Sequence, residues 1–490
     1  MKRPILQLAA ICSLTFALNS SAAVHYVDVN GTNPVLPYTS WATAATNIQD
    51  AVGYGGTVLV TNGIYQFSGL GSGPYRVKTF SNQKLQSVNG PAVTVIDGGR
   101  SVACVYLEAG SMLSGFTLTN GIGGGVVCEN GTAMITNCLI ISNSAGPGVS
   151  SGTVWNCVIE NNTNNYGGGA SSSTLVNCCL TGNSASPFGM GGGAISSILT
   201  NCILTKNSAG YQGGGAFGST LFGCIVSDNY CGDYGAGGTF SGTLINCTVI
   251  NNTGGSYGGV QQSVVENSIV YYNTNRSSNL PANGIGKFTN CCLIPLPSSG
   301  RNNFTNPPLF VNLADEDFHL QSNSPCINAG NNSYLTNIFN YASLKTDFDG
   351  NPRIVSGTVD IGAYEFQSPS SVLSYVWAQQ YGLPTDGSAD FIDSDADGMN
   401  NWQEWRTGTI PNDPASVLKL MAPANDLSGT TITWQSVSGM NYFIQRSSDL
   451  GAQPPFSTIQ INVVGQADTT SYTDTDAVGS GPFFYRVGVL

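Results

Sequence analysis

Charged side chains are scarce: of 490 residues only 9% are Asp, Glu, Lys or Arg, and there are two histidines. Amphipathic helices present a charged face to water, so a helical globular fold is excluded on this composition. The basic sign is the scarcer one, 16 residues against 28 acids, giving a net charge of -12. No electropositive surface follows from that balance, and nucleic acid is not an expected partner. No cysteine–histidine cluster has the spacing of a zinc site. Beyond the amino terminus no apolar run reaches the ~20 residues of a membrane helix. Glycine is abundant, with 62 residues, which suits a turn-dense β protein.

The amino terminus has the form of an export signal. Lys2 and Arg3 precede the apolar run "ILQLAAICSLTFAL", and Ser21 to Ala23 supply small residues ahead of Val24. Residues 1–23 are read as a signal peptide. The mature chain is then expected to be secreted or on the outer cell surface, without a transmembrane segment. Cys12 follows Ile11, not a small residue, which argues against a lipid anchor.

A repeat governs the middle of the chain. Cys138, Cys157, Cys178, Cys202, Cys224, Cys247, Ser268 and Cys291 recur at steps of 19 to 24 residues. An asparagine precedes each of them except at Gly223, and five residues after the cysteine position stand Asn143, Asn162, Asn183, Asn207, Asn229, Asn252 and Asn273. Two residues after it lies an aliphatic side chain, from Ile140 to Leu293. A period in the low twenties is the scale of a solenoid coil. Apolar residues at i and i+2 share a strand face, and glycine clusters leave no room for a repeating helix. The expected fold class is all-β: short strands joined by tight bends, stacked as a β-helix. Asparagine tolerates left-handed backbone at a bend, and stacked amides can pair from coil to coil. The asparagines are therefore read as structural ladders, not ligand donors. The cysteines are read as reduced, packed thiols, because side chains stacked in parallel suit disulfide geometry poorly.

With these units in hand, the tandem "GGGA…NC…N" pattern resembles right-handed parallel β-helix proteins of the pectate-lyase-like class. "NSASPFGMGGGAI" and "NSAGYQGGGAF" are similar to repeats of polymorphic outer membrane proteins. The resemblance spans residues 24–366 and implies fold more than activity. "SWATAATNIQDAV", Ser40 to Val52, is predicted to be a helical amino-terminal cap, with Thr57 to Val60 as the first strand. "DFHLQSNSPCINAG" and "TDFDGNPRIVSGTVDIGAYEF" resemble the choice-of-anchor Q segment of bacterial surface proteins, read as a closing coil. There Asp347, Asp349, Asp360 and Arg353 form either an ion-pair and turn network or a cation site.

Residues 367–416 carry the strongest chemical motif. Asp393, Asp395, Asp397, Gly398 and Glu404 match the calcium-loop pattern D-x-D-x-D-G-x5-E. Gly398 permits the sharp turn, Met399 would offer its backbone carbonyl, and Asn401 would act through water. Calcium is the expected cofactor. The segment is similar to thrombospondin type 3 and dockerin-like modules. Residues 417–490 alternate like sheet and resemble a shortened fibronectin type III or immunoglobulin-like sandwich, with Trp434, Tyr442, Tyr472 and Tyr485 as its core.

Ionisable groups are sparse along the coils, and no catalytic residues are assigned. Asp228 and Asp233 are the nearest approach to an acid pair, and a solvated bend is the simpler reading. His25 and His319 have no partner evident in the sequence. A binding surface has better support: Tyr166, Phe188, Tyr211, Tyr234 and Tyr257 recur at 22 or 23 residues. One ring per coil at one bend would make either a self-stacked shield or a platform for sugar rings. The functional expectation is an exported non-catalytic surface protein, adhesive or polysaccharide-binding, with extracellular polysaccharide or cell-surface components as partners. The alternative is a polysaccharide lyase or glycoside hydrolase.

Overall fold

The computed structural model describes residues 23–67, 73–232, 234–276, 284–336, 345–426, 429–477 and 481–490. The export segment, residues 1–22, and Asp233 of the candidate acid pair lie outside the described residues. The chain forms two compact units, Met1–Thr163 with Ser172–Thr174 and Asn164–Ser171 with Leu175–Leu490. The expected class is the one found: both contain right-handed parallel β-helix.

In the first unit three parallel sheets run along the stack. One holds Val24–Val27, Thr57–Val60, Lys84–Ser87, Met112–Ser114, Met134–Thr136 and Thr153–Trp155. A second holds Gly63–Tyr65, Thr94–Asp97, Thr117–Thr119, Leu139–Ile141 and Val158–Glu160. The third begins at Tyr75–Lys78 and ends at Val149–Ser150. The first strand is Val24–Val27, one earlier than the sequence suggested. The expected cap helix is also shorter: a 3-10 turn at Trp41–Thr43 and an α-helix at Ile48–Val52. Between them Ala45 exchanges backbone bonds with Tyr26 and Asp28 in the first coil. Asn47 then caps the helix by accepting from Gln49 N–H at 2.9 Å. Ala44, Ala45, Ile48, Ala51 and Val52 are all buried, as their spacing implied.

The second unit continues the same rules with four parallel sheets. Inward residues Leu180, Leu204, Val226, Val249, Val270 and Leu293 are fully buried. Strands of two or three residues cannot hold themselves. They persist because each buried aliphatic contributes about 1.5–3 kcal/mol and neighbouring coils pair every backbone.

The two asparagine columns do different work. Those before the cysteine sit in left-handed backbone, with φ between 47° and 52° at Asn137, Asn156, Asn177, Asn201, Asn246, Asn267 and Asn290. Those after it form a buried ladder. The backbone and side-chain amides of Asn207 both donate to Asn229 Oδ1, at 2.9 and 3.0 Å, and Asn207 Nδ2 also donates back to Leu180 O. Asn229 and Asn252 repeat this pattern toward the end of the stack, and Asn273 accepts from both amides of Asn252. The cysteine column is a third ladder, of thiols that are not joined as disulfides. Cys202 N–H donates to Cys224 Sγ, while each thiol donates to the carbonyl two residues back, as Cys224 does to Phe222 O at 3.3 Å. Ser268 makes the same two bonds, so serine replaces cysteine there without a break.

The segment expected as a closing coil adds no coil. A short run at Arg301 and Phe304 pairs with the last one. Described residues between Phe310 and Val376 then pack on the outer face of the sheet containing Ile225–Ser227, Thr248–Ile250, Ile269–Tyr271 and Cys292–Leu293. There Ile225, Ile250, Ile269, Tyr271 and Cys292 point outward yet are buried beneath Phe310, Phe318, Leu320, Cys326, Ile327, Ile361 and Tyr375. These outward apolar side chains give the solenoid a second core on its flank.

Residues after Val417 form two three-stranded antiparallel sheets, Ala424–Asp426, Gly429–Ser436, Asp468–Asp474 and Ser457–Val464, Asn441–Ser447, Phe484–Val489. Trp434 and Tyr442 are buried at their core with Ile432 and Ile444, and Tyr472 and Tyr485 pack against them.

Candidate functional site

Among the described residues of the second unit, three groups of side chains stand out for chemistry beyond packing, beside the acidic pair near Asp228. The first is the acidic loop. Asp393, Asp395 and Asp397 bring one carboxylate oxygen each within 4.8 Å of one another. Local bonds fold the loop: Asp393 accepts from Ala396 N–H and Gly398 N–H, and Asp397 accepts from Met399 N–H. Gly398 has φ 99°, a conformation only glycine adopts readily. The helix Asn401–Thr407 follows with a capping box between Asn400 and Gln403, and this carries Glu404 back toward the aspartates. Glu404 is fully buried and neither of its carboxylate oxygens has a hydrogen-bond partner; Asp395 Oδ2 and Asp397 Oδ2 are likewise unpartnered. Burial, then the charges of Asp395, Asp397 and Asp393, push the Glu404 carboxyl up to about 7. Among the described residues no basic side chain is recorded against Glu404, whose charged neighbours are Asp395, Asp397 and Asp393. The donor set is all oxygen, which fits a hard cation such as calcium better than a thiophilic metal. The Asn401 side chain bonds Ala389 O and Ser394 Oγ, so it braces the loop. Met399 Sδ accepts from Leu418 N–H.

The second group is the flank segment. Asp347, Arg353, Asp360 and Glu365 are all buried. The carboxylates accept backbone bonds: Asp360 from Asn328 and Phe366 N–H, Glu365 from Val355 and Asp360 N–H, Asp347 from Asn351 and Glu365 N–H. Burial pushes Asp360 up to about 7 and, with the charge of Asp360 beside it, Glu365 up to about 10. Burial lowers the Arg353 pKa, and Glu365, Asp347 and Asp360 offset this only in part. The backbone bonds make this a buried network of turns, with Glu365 a member the sequence did not single out; the ion pairing expected of Arg353 is not seen, since its Nε and Nη2 have no hydrogen-bond partner and Nη1 donates to Gly362 O. Asp349 is not part of it. It accepts from His319 Nε2 at 2.7 Å, while His319 Nδ1 meets Asp317 at 2.5 Å and the ring lies on Tyr364. His319 therefore has partners, contrary to the sequence reading, because the hairpin Phe310–Asn312 and Asp317–Leu320 returns it to the turn at Asp349. Burial lowers the affinity of His319 for its second proton, but Asp349 and Asp317 outweigh it and the pKa is raised. His25 likewise bonds Pro37 O through Nδ1.

Asp228, whose suggested partner Asp233 is outside the described residues, instead feels Glu316 and Lys206. Burial and then Glu316 raise its pKa, and Lys206 lies 3.9 Å from Glu316.

The third group is the aromatic column. Tyr166, Phe188 and Tyr234 are exposed by 58%, 82% and 66%, and Tyr211 by 37%. The rings do not form one ladder. Tyr211 N–H donates to Gly189 O, so Tyr211 is level with the residue after Phe188, and Tyr257 pairs with Ala236, two beyond Tyr234. Among the column residues the recorded ring contact is Tyr211 to Tyr234, with centroids 5.9 Å apart. Sequence held the clue for Tyr211, which stands four residues after its ladder asparagine where Phe188 and Tyr234 stand five after theirs; Tyr234 and Tyr257 both stand five after, so their offset was not legible in the spacing.

No protein-family model matches the chain, and no curated protein matches it. Among solved structures, pectate lyase Pel9A is similar at 15% identity over 71% of this chain and 97% of that one, with a TM-score of 0.40. The Dettilon tailspike protein is similar at 13% identity over 57% and 65%, TM-score 0.31. PfbA, a surface adhesin of Streptococcus pneumoniae, is similar at 10% identity over 58% and 79%, TM-score 0.21. These likenesses are of fold alone.

Proposed function

We propose that this chain is an exported, non-catalytic surface or extracellular protein that binds polysaccharide on its β-helix. The observation that carries the reading is the exposure of Phe188, Tyr234 and Tyr166 on separate coils. Large apolar rings facing water on a face with almost no charge are suited to stacking on sugar rings. Binding across several coils selects a polymer over a free sugar. Affinity electrophoresis against a set of plant and algal polysaccharides tests it: Phe188→Ala with Tyr234→Ala abolishes retention, and unchanged retention refutes the reading.

The acidic loop is proposed to hold one calcium ion through Asp393, Asp395, Asp397, Glu404 and the Met399 carbonyl, in a dockerin-like or thrombospondin type 3 manner. The sandwich beyond it is proposed to be a fibronectin type III-like module. Cleavage of residues 1–23 on export is checked by sequencing the amino terminus of secreted material.

A second reading, polysaccharide lyase or glycoside hydrolase, is favoured by one observation, the convergence of Asp228, Glu316 and Lys206. Incubation with the same polysaccharides, scored for new reducing ends and unsaturated uronates, tests it. Product formation lost in Asp228→Asn supports this reading.

A further inference from the structure

Beside the aromatic rings lies a sheet whose outward row the sequence did not single out. Ser184, Ser208, Tyr230, Thr253 and Thr274 stand in register on successive coils. The alternate residues Ala185, Ala209 and Cys231 are buried, so the hydroxyl-bearing side chains face out. Ser208 Oγ donates to Ser184 Oγ at 3.1 Å, and the hydroxyls of Thr253 and Thr274 are 3.3 Å apart. Tyr230, 39% exposed, carries the Arg276 guanidinium over its ring at 5.9 Å. In these strands and the bends that follow them, Arg276 is the sole charged side chain among the described residues of the second unit.

We infer that this row and the neighbouring rings form one surface for an uncharged polysaccharide laid across the coils, parallel to the stack. The inference rests on the reading of the aromatic column as a polysaccharide contact, and adds the row residues and the ligand's charge class. A hydroxyl is both donor and acceptor, as is every hydroxyl of a neutral sugar, so the two surfaces can pair in either sense. Coils repeat at about 4.8 Å, so the row offers such a group at a short constant interval along the ligand. A uronate or sulfated chain would need a cation for each acid, and this face has one, already over Tyr230. The net charge of -12 opposes a polyanion further.

The full chain is tested by affinity electrophoresis on neutral gels (a soluble β-glucan, xyloglucan, a galactomannan) and acidic gels (polygalacturonate, alginate). Salt is raised from about 50 to about 300 mM, which shortens electrostatic reach. Retention on at least one neutral polysaccharide, insensitive to salt, is expected. Thr253→Val combined with Ser208→Ala removes two row hydroxyls with little change of shape and weakens retention by about fivefold or more, as lost hydrogen bonds should. Tyr230→Phe, which keeps the ring, has a smaller effect than Tyr230→Ala. Buried thiols that stay unreactive show that each variant is folded. Retention on acidic gels alone, falling with salt, overturns the inference and leaves the aromatic reading standing. So does neutral retention that the double variant leaves unchanged. Absence of retention on every gel overturns both.

Discussion

Gly223 is the one coil position where the left-handed asparagine is missing, and the flank segment explains it. A Cβ there would lie 2.9 Å from an Arg353 guanidinium nitrogen and 2.7 Å from Asn201 Oδ1. The backbone does not require glycine: φ is 58°, close to the 50° at Asn201 and 51° at Asn246. Gly223→Asn therefore isolates the steric conflict. Arg353 has little room to yield, since it is buried and donates to Gly362 O at 3.2 Å. Overpacking a filled site costs about 1–3 kcal/mol, and the upper half of that range applies because the displaced group is a buried cation. Gly218, with φ 56°, is the matched control; its Cβ would meet only Ser196 Oγ, at 4.0 Å. Gly218→Asn should change stability by less than about 0.5 kcal/mol. Arg353→Met removes the guanidinium and with it the obstruction, and its own effect on stability is measured alongside. In that background Gly223→Asn should cost much less than alone, a coupling of about 1–3 kcal/mol between the two positions. Urea unfolding of the four proteins followed by circular dichroism, with Gly218→Asn alongside, measures this. A neutral Gly223→Asn, or one equally costly with and without Arg353, would show that the arginine does not fill the gap.

Further outcomes follow from other sites. Calcium titrated calorimetrically should bind the native chain and not Glu404→Gln. Without the ion the loop should lose stability as pH rises from about 4.5 through 7, because a raised carboxyl pKa favours folding only while protonated; a flat profile refutes the placement of Glu404. The His319 ring should titrate above 6.5 by NMR, and its contribution should be full below that pH and fade as pH rises through the raised value. A lower value would mean that Asp317 and Asp349 do not both engage it. Asn207→Ala should cost about 3 kcal/mol or more, since several buried amide bonds are orphaned together, whereas Cys224→Ser should cost under about 1 kcal/mol, as Ser268 already does the same work; thermal unfolding separates them. In the native protein Cys179, the half-buried thiol, should react with a thiol reagent ahead of the others.

Much of the coil was legible in residue types. The Asn–Cys pair marked the corner, because asparagine accepts left-handed backbone and cysteine fills the bend behind it. The calcium-loop spacing anticipated where Asp393, Asp395 and Asp397 converge, because the pattern is local and Gly398 sets its turn. Ring-to-ring spacing misled for the aromatics: steps of 23 residues from Phe188 to Tyr211 to Tyr234 do not keep register when the ladder asparagines step by 24 and 22, while from Tyr234 to Tyr257 both steps are 23 and the bend itself shifts the pairing. The partners of His319 and the role of Gly223 were not legible, since Asp349 and Arg353 arrive from distant parts of the chain.

By itself the sequence determined that the backbone winds into stacked parallel coils, since that follows from short-range periodicity and bend chemistry repeated many times. Only the tertiary structure decided where the non-repeating segments go. The flank segment chose the outer face at Ile225, Ile250 and Ile269 instead of the open end, because those outward apolar side chains offered surface to bury. Arg353 could enter only where Gly223 had left space, and burial among Asp347, Asp360 and Glu365 makes that choice specific.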